Sequence, residues 1–125
     1  MAIHVRVICT ENGIVIGSHS RGGRAFRKEH RVDIRPVKSA VTYAIALHEI
    51  GHILGPWQSR SRIDSECGAW LWAHENALVW TKPMETKMQR SLRSYVNWAR
   101  RHKTATKPDC SHPIMEMAGL CPAAP

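Results

Sequence analysis

The sequence predicts an α+β domain, with a short antiparallel or mixed N-terminal sheet that includes an edge strand, followed by three helices. Three features predict it. Apolar and polar residues alternate near the N-terminus, Val41 to Leu47 is an uncharged run that opens a segment of helical length, and two further helical patterns follow that segment. At 125 residues the chain (1–125) has room for one domain with one modest core.

Residues 1–37 are assigned to the sheet. Ile3 to Cys9 sets Ile3, Val5 and Val7 against His4, Arg6 and Ile8, and Ile14-Val15-Ile16 follows the turn residues Glu11-Asn12-Gly13 as a hairpin would. The polar, glycine-bearing stretch from Ser18 to Glu29 reads as a loop. Arg31 to Val37 then forms a strand with Val32, Ile34 and Val37 inward, and Pro36, which lacks an N–H for a central ladder, confines it to an edge. An edge at this place can receive an extended peptide through main-chain hydrogen bonds, or it can stand as a protected edge with no partner.

The next element spans 38–55 and ends at Gly55-Pro56. A helix apolar nearly all round is a buried one, yet this one carries His48-Glu49-Ile50-Gly51-His52. A buried carboxylate without a partner costs several kcal/mol. Metal coordination removes the problem: residues four apart stack on one helix face, so both imidazoles can converge on one tetrahedral Zn²⁺ while Glu49 stands about 100° round, beside a metal-bound water.

A catalytic zinc site takes three protein ligands. A histidine soon after the helix is one source, but position 58 holds Gln58. The other source is an acid on the following helix, where Asp64, Glu66 and Glu75 are available. That helix is predicted over 64–80, with Asp64 as its N-cap. With Glu66 set at zero, Ala69, Ala73 and Ala77 fall within about 60° of it and Glu75 falls near 180°. Glu66 therefore heads a stripe of small residues that lets two helices approach, with Gly51 as a matching notch. Cys67, about 100° from Glu66, is assigned to packing.

A basic helix follows over 84–103, with Met84, Met88, Leu92, Tyr95, Val96 and Ala99 as its apolar stripe. Residues 82–107 hold eight Lys and Arg against Glu85, giving +7 of the chain's +8. Such a cluster suits nucleic acid or an acidic protein, and equally a solvated helix face. The segment 104–125 reads as an irregular tail, in which Cys110, His112 and Cys121 can close a disulfide or a minor metal site. The four cysteines contain no Cys-x-x-Cys pair, which argues against a ribbon zinc site or a redox motif.

His48-Glu49-Ile50-Gly51-His52 followed by Glu66-x-x-Ala69-x-x-Trp72-Ala73 resembles the Glu-zincin pattern of ImmA/IrrE type metallopeptidases and their small phage-encoded relatives, and Leu92-Arg93-Ser94-Tyr95 adds a weaker likeness. The matches cover Ala44 to Tyr95. They depart from the pattern in Trp72, where Phe is usual, and in the short spacing from His52 to Glu66. The resemblance implies a small zincin-like fold in which His48, His52 and Glu66 hold one Zn²⁺ and Glu49 acts as general base in the hydrolysis of a protein or peptide. His74 and Tyr95 are candidates to stabilise the oxyanion. Pro113-Ile114-Met115 invites comparison with the Met-turn below other zincin sites, although the absent histidine at position 58 argues against it.

Three other classes fit the same residues: a nucleic-acid-associated protease similar to SprT-like proteins, a non-enzymatic module whose zinc is closed by a fourth ligand such as Cys67, and a partner-binding protein with vestigial activity. No apolar run reaches the 18 or so residues needed to cross a bilayer, and Met1 to Arg6 lacks the blocks of a signal peptide, so a cytoplasmic protein without membrane contact is expected.

Overall fold

The computed structural model describes Met1 to Pro122; the last three residues of the segment assigned to the tail lie outside the described residues. The fold is α+β, in the order α1 (Ala2–Glu11), β1 (Val15–Ser18), β2 (Gly23–Phe26), β3 (Arg31–Ile34), α2 (Ala40–Leu54), α3 (Arg62–Asn76), α4 (Lys82–Arg101) and α5 (Pro113–Met117). A small mixed sheet and a set of helices enclose α2, which touches α1, β2, β3, α3 and α4. No helix among the described residues is long and apolar enough to cross a membrane.

The largest correction falls at the N-terminus, where residues 3–9 form a helix rather than a strand. Val5, Ile8 and Cys9 are buried while Ile3 and Val7 are exposed, which is a helical stripe and not an alternation. Asn12-Gly13 closes this helix instead of turning a hairpin. Gly13 takes φ +65, with Ile14 N–H donating to Cys9 O at 2.8 Å and Gly13 N–H to Thr10 O at 3.4 Å, the bond pair of a Schellman cap. The buried Tyr43 ties α1 down: its hydroxyl shares a hydrogen bond of 2.6 Å with His4 Nδ1 and accepts from Leu78 N–H at 3.0 Å.

Strand order is β1-β3-β2, with β1 parallel and β2 antiparallel to β3. Two expectations fail here. The stretch expected as a loop contains β2, and Arg31 to Ile34 is the central strand, because Pro36 lies beyond its end and removes no ladder bond. Val32 and Ile34 point into the core below α2.

Helix limits follow their caps. Ser39 and Thr42 form a capping box on α2. Ser61, not Asp64, caps α3 by accepting from Asp64 N–H at 3.2 Å, so the helix starts at Arg62 and ends at Asn76 rather than near Trp80. Met84, Met88, Leu92, Val96 and Ala99 bury one face of α4, with Pro83 in its first turn. The tail is less irregular than expected. It carries α5, joined across Cys110–Cys121 by a disulfide, which decides between the two options for these cysteines.

Candidate metal centre

The second half of α2 carries His48, Glu49 and His52, whose donor atoms lie within 4.8 Å of one another, so the group could hold a metal ion. The two imidazoles meet edge to face at 4.7 Å. A second carboxylate competes with Glu49 for the place beside them: Glu66 on α3 sets Oε1 2.9 Å from His48 Nε2 and Oε2 3.0 Å from His52 Nε2. Glu49 comes only within 3.8 Å of His48, at Nδ1. Of the other acids, Asp64 pairs with His112 Nε2 at 2.6 Å and Glu75 is exposed.

Close helix packing puts Glu66 there. A Cβ at Gly51 would stand 2.4 Å from the Ala69 carbonyl oxygen, so a larger residue would push α3 and its carboxylate away.

The two buried carboxyls are driven in opposite directions. Burial raises the Glu66 carboxyl, but its hydrogen bonds with His48 and His52 outweigh that and hold it at about 2. At Glu49 burial prevails over the neighbouring imidazoles and the pKa rises. Burial lowers the His52 imidazole, and the facing Glu66 more than reverses it, so its pKa rises. One carboxyl is thereby kept anionic and the other is made more basic, a separation suited to two different roles.

Gln58 decides where the His52 proton sits. Its Nε2 donates to Pro56 O at 3.0 Å and Ser65 O at 2.8 Å, which orients the amide and leaves Oε1 as an acceptor. Oε1 accepts from Ser65 Oγ at 2.8 Å and lies 2.8 Å from His52 Nδ1. His52 Nδ1 is therefore the donor, which leaves Nε2 facing Glu66 with a lone pair in the neutral ring. Two acceptors 3.0 Å apart repel unless a cation joins them, either a proton on Nε2 or a metal ion. His48 is held differently, by stacking on the buried Trp70 at 4.4 Å with ring planes 17° apart.

These groups open into a cleft of about 520 Å³ walled by β2, the α2–α3 loop, α3 and Tyr95 of α4. β2 runs directly over Glu49, since a Cβ at Gly23 would meet its Oε2 at 2.8 Å. Tyr95, half-buried, lies near enough to Glu66 for burial first and that charge second to raise its phenol. His74 does not reach the cleft; it is exposed and packs edge-on against Trp80 at 4.8 Å. Met115 is buried in the core and is no part of the cleft lining. Cys67 is buried beside Met117 Sδ at 3.7 Å, its thiol pushed up to about 12 chiefly by burial, and it too is outside the lining. That removes it as a fourth ligand.

Gln58, Trp70 and the β2 wall escape the sequence reading. Gln58 figures there only as the missing histidine, although a metal-ligating imidazole generally needs a partner for its second nitrogen, and a side chain six residues on, past a Gly-Pro turn, is well placed to provide one.

No protein-family model, no curated protein and no solved structure matches the chain.

Proposed function

We propose that the protein is a zinc-dependent metallopeptidase in which His48, His52 and Glu66 hold one Zn²⁺ and Glu49 is the general base. One observation carries this reading: the Glu66 carboxylate stands between two Nε2 atoms, at 2.9 and 3.0 Å, with the His52 proton committed to Gln58. Two imidazoles and a carboxylate are the donor set of a three-ligand catalytic zinc site, and the cleft leaves room for a fourth partner. The likeness to Glu-zincins supports the same assignment.

When bound, Zn²⁺ supplies Lewis acidity that polarises a carbonyl and makes water acidic near pH 7. The remaining work falls to this chain. Glu49, buried and with a raised pKa, takes the proton of the attacking water and delivers it to the departing amine nitrogen. β2 offers the free edge of its backbone beside Glu49, so a peptide laid along it brings its carbonyl to the cluster. The Tyr95 hydroxyl, across the cleft, donates to the oxygen that gains charge.

Metal analysis of purified wild type beside Glu49→Gln, with mass-spectrometric detection of fragments from a mixed protein pool, tests the reading. Zinc in both proteins and fragments only from wild type is the expected result. Zinc with no fragments from either favours a non-enzymatic zinc module. The SprT-like alternative draws on one feature, a groove of about 440 Å³ on α4 lined by Arg90, Arg93 and Arg101. DNA affinity that falls steeply with salt and is lost on neutralising these arginines would favour it.

A further inference from the structure

We infer that the cleft is selective for substrate segments carrying Asp or Glu beside the reacting bond. The inference rests on the hydrolase reading for the reaction and on the charge of the cleft walls for the selectivity. Two arginines from separate parts of the chain line the cleft, Arg27 just after β2 and Arg62 at the start of α3, whereas Arg24 leaves the opposite face of the sheet from Gly23 and keeps its guanidinium over Phe26 there. The carboxylates in the same lining are Glu49 and Glu66, both buried and both committed to the histidine cluster. Among the described residues, Arg27 and Arg62 form no ion pair with another acid.

Each guanidinium is held on one side. Arg62 lies over Trp98 at 5.0 Å, and Arg27 donates from Nη1 to Gln58 O at 3.1 Å. An aromatic face occupies none of the five N–H donors and one carbonyl occupies one, so planar forks remain for carboxylates. Held side chains also lose less freedom on binding. A nucleic-acid backbone is a poorer fit than an acidic peptide, because two arginines do not make a continuous basic stripe and the two buried carboxylates of the same cleft repel a phosphate chain.

The test uses the zinc-loaded full chain and three peptide series that share one scissile pair and differ in flanking residues: acidic, neutral or basic. Acid-flanked peptides are expected to be cleaved about 10-fold faster in kcat/KM than neutral ones, with basic peptides slowest and the advantage shrinking as salt rises. The double variant Arg27→Glu/Arg62→Glu should reverse the order while its zinc content stays at wild-type stoichiometry. Equal cleavage of all three series overturns the selectivity and leaves the hydrolase reading intact. Fluorescent forms of the same peptides are also titrated into Glu49→Gln. Preferential binding of the acidic series there, with no cleavage by wild type, upholds the recognition and overturns the hydrolase. A single-stranded oligonucleotide that binds Glu49→Gln more tightly than the acidic peptide, and loses binding in the arginine double variant, overturns the inference in favour of phosphate.

Discussion

The two imidazoles of the cluster are secured by opposite means. His52 is fixed by hydrogen bonds, through Gln58 and Ser65, that specify which ring nitrogen carries the proton. His48 lies flat against Trp70, which sets the plane of the ring, and it meets Glu66 through Nε2 with no amide or hydroxyl partner such as Gln58 or Ser65. The difference assigns separate functions to the two sides of the site: the loop side controls protonation, and the α3 side controls position. It also predicts that the two sides fail differently. Trp70→Ala removes a buried aromatic from the core as well as the stack, so it is expected to lower stability by about 3–5 kcal/mol in denaturant unfolding. Trp70→Phe keeps a ring beside His48 and should lose clearly less.

Glu66 belongs to both sides, and its contribution can be isolated in the metal-free protein. Its folded carboxyl, at about 2, lies below the ordinary 4.5, so the stabilisation is complete above pH 4.5 and drains away as pH falls from 4.5 toward 2. A shift of that size corresponds to about 3 kcal/mol. Chelator-treated wild type should therefore lose stability through this window, while Glu66→Gln should start lower and lose less across it, its remaining slope coming from acids such as Asp33 and Asp109 that are also held below their ordinary values. Parallel curves for the two proteins would remove Glu66 as the acid-sensitive group and leave the coupling to the imidazoles without support.

The α3 side of the site was far more legible in the sequence than the loop side. Periodicity suffices to set Glu66 and the alanines on one face, and Gly51 marks the approach, because helices have a fixed angular step. Gln58 depends on a loop whose path turns at Trp57, a non-glycine residue at φ +64, and nothing in local propensity specifies that. The same contrast separates α4 from the N-terminal third. The spacing of Met84, Met88, Leu92 and Val96 admits one reading, whereas Ile3, Val5 and Val7 satisfy an alternation until adjacent Ile8 and Cys9 and the Gly13 cap are given weight. β2 is the least legible element. Gly23-Arg24-Ala25-Phe26 has no β-branched residue, and its extended form comes from pairing with β3.

The loop side is tested by smaller changes. Gln58→Leu removes the acceptor from His52 Nδ1, and zinc affinity measured by chelator competition is expected to fall about 10–100-fold. Gln58→Glu keeps an acceptor at Nδ1 while losing the bonds to the Pro56 and Ser65 carbonyls, so a control of protonation predicts tighter zinc than in Gln58→Leu, and a merely structural loop predicts no such rescue. Ser65→Ala should have the smallest effect, about 1 kcal/mol in unfolding and under about threefold in zinc affinity, because it deletes one neutral hydrogen bond to Gln58 Oε1 and leaves the His52 contact in place. Should Ser65→Ala weaken zinc as much as Gln58→Leu, the hydroxyl, 3.3 Å from His52 Nδ1, would be the group that orients the ring.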